Sequence, residues 1–142
     1  MAESDSYFKP VPSSVDVSDL EVPPFYKSLD EVAGFEVVPG LRLKPVSGAN
    51  VMMSFVFFEP NTVAPIHAHS EEQMGTVIEG ECEFELNGVR RMLRRGETYC
   101  APPGVPHGAR TYGTSCIALD VFSPPRGAFS ELEKAAREGH KE

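Results

Sequence analysis

The 142-residue chain predicts a single all-β domain with a short helix near its C-terminal end. Three observations carry that expectation. Apolar residues come in short runs that alternate with polar ones, as Cys82, Phe84 and Leu86 do with Glu81, Glu83 and Glu85. Turn-forming residues break up these runs: there are 12 Gly and 13 Pro, and Asn87-Gly88 is a strong hairpin signal. The length suits one hydrophobic core.

In chain order, residues 1–34 are polar and proline-rich, with Pro10, Pro12, Pro23 and Pro24, and read as a partly extended arm. Ser28 and Glu31 stand at capping-box spacing, which predicts one short helical turn. Residues 35–126 read as a barrel of strands. The segment Asn50 to Glu59 is apolar on both faces and calls for cover on both sides. Gln73 to Glu79 and Glu81 to Leu86 read as strands on either side of Gly80. Asn87-Gly88 then turns the chain into Val89 to Leu93, and Gly96 marks another turn. Thr114 to Phe122 is the last long strand. Residues 127–142 form a helix and tail, with helix-forming composition over Ala128 to Glu138 and a stop near Gly139.

Charge and composition exclude several classes of function. The net charge of −8 and the lack of a basic patch argue against nucleic acid as a partner. Arg90, Arg91, Arg94 and Arg95 flank Met92-Leu93 and read as the solvated ends of a strand. No stretch is apolar for long enough to span a membrane. The N-terminus lacks the basic and apolar regions of a signal peptide. Cys82, Cys100 and Cys116 are too few and too scattered for a disulfide framework. They read as buried free thiols of a cytoplasmic protein.

The chemistry concentrates in two segments. His67-Ala68-His69 carries two imidazoles one residue apart, and in an extended strand both would face the same way. His107 follows the rigid Pro102-Pro103-Gly104 turn and offers a third. Neutral imidazole is a common transition-metal ligand. The fourth histidine, His140, sits in a charged tail and reads as solvated. In the last strand, Ile117, Leu119 and Val121 share one face, which reads as plain core. Cys116, Ala118, Asp120 and Phe122 share the other. An unpaired carboxylate is costly to bury, so that second face reads either as a cavity wall with Asp120 turned to a ligand or as core in which a nearby arginine or backbone donors satisfy Asp120. Ser123-Pro124-Pro125 fixes the direction of the following Arg126.

These segments resemble the two motifs of the cupin superfamily. His67, His69, Gln73 and Gly80 fit the first, with Asn61 at its opening glycine position. Gly96, Pro102, Gly104 and His107 fit the second, with Thr111 at its closing asparagine position. The resemblance implies a jelly-roll-like β-barrel of two antiparallel sheets. Leu119 to Arg126 further resembles the C-terminal signature of small single-domain cupins similar to the pectin-degradation protein KdgF, although Gly127-Ala128 stands where that family continues with an acidic pair.

Carried over residue by residue, this resemblance implies one divalent metal per chain (Ni, Fe, Zn, Mn or Co) on His67, His69, Gln73 and His107. It puts functional acidic, aromatic and basic positions on Asp120, Phe122 and Arg126. It also implies isomerase or lyase chemistry on a 4,5-unsaturated uronate or a related small carboxylate. Glu71 shares strand parity with His69 and Gln73 and is an alternative ligand. A glutamine ligand is neutral and leaves the metal its full charge. That suits Lewis-acid work better than the two-histidine, one-carboxylate pattern of iron oxygenases. An Fe- or Ni-dependent dioxygenase and a non-catalytic small-ligand binder are the alternatives. The double-sided strand and the unpaired arm predict a homodimer.

Overall fold

A computed structural model describes residues 7–140. The reading of the extreme N-terminus, and that of the His140 side chain, lie outside the described residues.

Among the described residues, nine strands and one helix follow a 3-10 turn at Leu29–Glu31. The strands are β1 (Phe35–Val38), β2 (Leu41–Ser47), β3 (Met52–Phe58), β4 (Val63–His67), β5 (Glu72–Leu86), β6 (Val89–Arg94), β7 (Thr98–Ala101), β8 (His107–Arg110) and β9 (Cys116–Ser123). The helix, α1, runs Gly127–His140. Every pairing between these strands is antiparallel, in the order β1-β2-β3-β9-β5-β8-β4, with β6 and β7 also paired to β5. The result is the expected barrel of two sheets with a C-terminal helix.

Strand β5 joins the two sheets. Its first half pairs with β9 and β7, and its second half pairs with β6 and β8. The two strands expected around Gly80 are therefore one continuous strand. Gly80 adopts φ +79°, which L side chains rarely take, and the register against β9 shifts between Val77 and Glu79. The extra residue bends β5 from one sheet to the other. The hairpin between β5 and β6 turns at Asn87 (φ 48°) and Gly88 (φ 83°), both left-handed as a two-residue loop requires.

The core fills the space between the sheets with Phe35, Leu41, Leu43, Val56, Phe58, Val77, Leu93 and Ala118, among others. Phe129 of α1 packs on Phe35, with ring centroids 5.8 Å apart, and on Phe122 at 5.5 Å. Glu133 of α1 accepts a hydrogen bond from the Gly34 N–H at 2.8 Å. The helix lies beside β2 and β1, and Phe129 reaches past them to Phe122 of β9.

Four expectations need correction. In β9, Cys116, Ala118 and Phe122 are buried and share the interior face with half-buried Asp120, whereas Ile117, Leu119 and Val121 lie on the other face and are half-buried. Those three look outward because cross-strand partners share a face, and theirs are Phe57, Phe55 and Met53 of β3. Strand β3 is accordingly covered on one side only: Met52, Ser54, Val56 and Phe58 are buried, while Met53 is exposed and Phe55 and Phe57 are half-buried. Cys100 is exposed, although Cys82 and Cys116 are buried free thiols as expected. The arm, described from Tyr7, is mostly exposed and stays unpaired in the single chain, which leaves its reading as an unpaired arm unchanged. At its end, the Ser28 hydroxyl accepts from the Asp30 N–H at 3.3 Å, so the cap engages one residue earlier than a capping box would.

Candidate metal centre and cavity

Strands β4 and β8 lie antiparallel with His67 directly opposite His107, their rings 4.5 Å apart. His69 is not on a strand, because β4 ends at His67. Its convergence comes instead from the turn at Pro102–Gly104. The Gly104 N–H, at a residue with φ +79°, donates to the His69 carbonyl at 2.8 Å and ties the two histidine segments together. Gln73 enters from the start of β5, buried between Phe122 on β9 and Ala101 on β7.

The ring nitrogens are oriented from behind. Nδ1 of His67 lies 2.9 Å from the Pro65 carbonyl, that of His69 3.0 Å from the Glu71 carbonyl, and that of His107 2.9 Å from the Val105 carbonyl. A carbonyl only accepts, so each Nδ1 carries the proton and each Nε2 presents a lone pair. Burial pushes the pKa of His67 and His107 down, which favours the neutral rings.

The orientation of Gln73 follows from a second chain of contacts. The Tyr99 hydroxyl donates to Asp120 Oδ1 at 2.7 Å, so its oxygen is left to accept, and Gln73 Nε2 donates to it. Gln73 Oε1 then faces the imidazoles, 2.9 Å from His69 Nε2 and 3.0 Å from His107 Nε2. With each Nδ1 protonated, no proton lies between these atoms. The ligand nitrogens of His67, His69 and His107 all lie within 4.8 Å of one another. Imidazole lone pairs and an amide oxygen converging without a donor fit a divalent cation, and the carbonyls behind the rings are the usual outer support of metal-binding histidines. The Glu71 carboxylate instead sits 3.4 Å from His69 Nδ1, behind the ring and outside the converging set.

One cross-strand row carries Pro45, Ser54, Asp120, Gly75 and Tyr99 through β2, β3, β9, β5 and β7. Gly75 allows Tyr99 to reach Asp120. A Cβ at Gly75 would lie 2.6 Å from Tyr99 Cε1 and 2.7 Å from both Asp120 Oδ1 and the Tyr99 oxygen. Burial pushes the Asp120 carboxyl up to about 6, against the downward pull of the Tyr99 hydrogen bond. Burial first, and then the Asp120 charge, push the Tyr99 phenol well up, so it stays an O–H.

Phe122 is buried with its ring edge-on to His69 at 5.7 Å. The Arg126 guanidinium stacks 4.4 Å from the centroid of the Phe129 ring. Among the described residues it has no carboxylate within ion-pair distance. His67, Gln73, Tyr99, His107, Asp120, Phe122, Arg126 and Phe129 border one cavity of about 300 Å³, which His69 does not line.

The structure thus brings His67, His69, Gln73, His107, Asp120, Phe122 and Arg126 to one end of the barrel. Tyr99, Gly75 and Phe129 are neighbours the sequence reading overlooked. The alternation of Tyr99 with the exposed Thr98 and Cys100 was a signal that could have pointed it inward. Two motif departures have physical explanations. Asn61 takes the left-handed conformation (φ 56°) that its usual glycine would take. Buried Thr111 donates to the Glu59 carbonyl at 2.6 Å and accepts from the Thr62 N–H at 3.1 Å, a structural role away from the histidines.

A barrel of this topology with three histidines and a glutamine at one end is the architecture of a cupin, and the chain belongs to the cupin family. A cupin-domain family profile matches residues 54–122. The solved structure of KdgF from Halomonas sp. is similar at 32% identity and a TM-score of 0.65, over 70% of this chain and 92% of that one. The pectin degradation protein KdgF of Dickeya dadantii is 28% identical over 70% of this chain and 93% of its own length. The H2HPP isomerase of Bacillus subtilis is 40% identical over 50% of this chain, a match that spans only 30% of that longer protein. No helix among the described residues is long and apolar enough to cross a membrane.

Proposed function

We propose that this protein is a metal-dependent isomerase or lyase acting on a small hydroxy-carbonyl acid, of which an unsaturated sugar acid is one example. The observation that carries the reading is the convergence of imidazole lone pairs and the Gln73 oxygen beside the Asp120 carboxylate of the cavity wall. The similarity to a pectin-degradation cupin and to an isomerase supports it.

His67, His69, Gln73 and His107 would hold one divalent ion, with Ni, Fe, Zn, Mn and Co all compatible with the donor set. When bound, such an ion supplies Lewis-acid polarisation of a substrate oxygen. The remaining work falls to the chain. Arg126, stacked and unpaired, would take the substrate carboxylate in its planar fork. Asp120 would accept a proton from a carbon or hydroxyl and return it to a neighbouring atom, a task suited to a carboxyl raised toward neutrality. Tyr99 holds Asp120 in place, and Phe122 would shut water from the reacting face.

The test uses protein reloaded with a single metal and offered a panel of unsaturated uronates and 2-keto acids, followed by ultraviolet absorbance and NMR. Isomerisation without oxygen uptake is the expected result. Oxygen consumption would make it a dioxygenase, and binding without turnover would make it a ligand-binding cupin.

A cytoplasmic homodimer accords with the same picture. The free thiols suit a reducing compartment. The outer face of the first sheet exposes Met53, Met74 and Ile78 beside half-buried Phe55, Leu119 and Val121, a patch suited to a second copy of the barrel.

A further inference from the structure

The cavity beside the histidines continues into the barrel core. Most of its wall is hydrocarbon, including Leu41, Leu43, Val56, Phe58, Val77 and Leu93. Its polar side chains are largely engaged already. The Nδ1 atoms of His67 and His107 are spent on backbone carbonyls, His107 Nε2 lies 3.0 Å from Gln73 Oε1, and His67 belongs to the converging histidine set. Tyr99 is held between Gln73 and Asp120, and the Thr76 hydroxyl donates to the Glu97 carbonyl at 2.9 Å. What remains for a ligand is the Arg126 guanidinium, the second Asp120 oxygen and whatever the metal centre contributes.

A polyhydroxylated sugar acid fits such a wall poorly. Each hydroxyl buried there without a partner would weaken binding roughly tenfold. An apolar group gains instead, by about fourfold for each methylene taken out of water. We infer that the substrate is a 2-keto or enol carboxylic acid whose other end is an aryl or branched alkyl group. Its carboxylate pairs with Arg126 and its apolar end fills the cavity among Leu43, Val56 and Phe58. The inference rests on the isomerase reading for its chemistry and narrows the substrate class. The step it implies is a proton relocation: a C–H bond next to the carbonyl breaks, Asp120 takes the proton, and the proton is returned to the enol system at another atom. No oxidant or reductant is consumed.

The test needs only the wild-type protein. Nickel-loaded protein is titrated calorimetrically with pyruvate, 4-methyl-2-oxopentanoate, phenylpyruvate and galacturonate. The expected result is affinity rising along the three keto acids, with phenylpyruvate binding at least tenfold tighter than galacturonate. Equal affinity across the keto acids, or galacturonate binding as tightly as phenylpyruvate, overturns the inference. Enol–keto conversion of phenylpyruvate and turnover of a 4,5-unsaturated galacturonate are followed in parallel. The expected affinity order without either turnover sustains the substrate class and removes the isomerase reading. Turnover of the uronate with a flat affinity series does the reverse.

Discussion

The Tyr99 hydroxyl donates to Asp120 Oδ1 at 2.7 Å across a residue that has no side chain, Gly75. This contact sets a direction for everything beyond it. An acceptor at Asp120 makes Tyr99 a donor there, which leaves its oxygen to accept from the Gln73 amide and turns the Gln73 oxygen to the histidines. Tyr99→Phe should therefore release Gln73 and weaken divalent-metal affinity about 10-fold or more, the usual effect of losing a partner behind a ligand. Gly75→Ala should do the same by forcing Tyr99 and Asp120 apart, and it should also destabilise the fold by about 1–3 kcal/mol through overpacking. Calorimetric metal titration and thermal melts of both variants check this. Unchanged metal affinity in Tyr99→Phe would remove Tyr99 from the account.

Asp120 is the expected proton carrier. Asp120→Asn should lower kcat on the order of 10²-fold and leave one metal bound. In the wild type, kcat should rise with pH through about 6 as the carboxyl ionises, then level off. Stability of the metal-free protein should run the other way. The folded state holds this proton more tightly than the unfolded chain does. The group's contribution is therefore complete below about 3.8 and lost as pH rises through about 6. Asp120→Asn should flatten that part of the melting-temperature profile. An unaltered pH profile of kcat in the variant would contradict the assignment.

Arg126→Ala should act mainly on binding, raising KM about 10-fold or more with a smaller effect on kcat, because in the proposed function the guanidinium would pair with a carboxylate that does not react. Arg126→Lys should recover little, since an ammonium has neither the fork nor the stacking surface that Arg126 lays on Phe129. Steady-state kinetics separate the two parameters. A loss confined to kcat would move Arg126 from anchoring the substrate to the chemistry itself.

The outward apolar face predicts a dimer. Met53, Met74 and Ile78 are 39%, 52% and 40% exposed in the single chain, which is unusual for three large apolar residues on one sheet surface. Light scattering after size exclusion should give twice the chain mass of 15.5 kDa. Met53→Glu with Met74→Glu should give a folded monomer. A monomeric wild type at micromolar concentration would rule out this use of the face.

Much of the barrel was legible because strands announce themselves locally. The alternation at Cys82, Phe84 and Leu86 and the Asn87-Gly88 turn needed no tertiary information. Which side of a strand faces inward did need it. Ile117, Leu119 and Val121 are more apolar than Cys116, Ala118, Asp120 and Phe122, yet the less apolar face lines the interior, because that interior holds a cavity with polar side chains as well as a core. The continuity of β5 was hidden for a similar reason: Gly80 reads as a break but acts as a bend. The histidine, glutamine, Asp120 and Arg126 positions stood out by type and spacing. Tyr99 did not, since its importance arises from a neighbour 21 residues away reached across Gly75. The convergence of His69 was expected for the wrong local reason, strand parity, when a backbone bond from Gly104 secures it.

The central claim is that His67, His69, Gln73 and His107 form one divalent-metal site. Calorimetric titration of chelator-stripped protein with Ni²⁺ at pH 7.5 tests it most directly, on wild type beside His67→Ala and His107→Ala. The account predicts one ion per chain in the wild type and loss of that binding in both variants while they remain folded. Absence of binding in the wild type, or binding of equal affinity in the two variants, would contradict it.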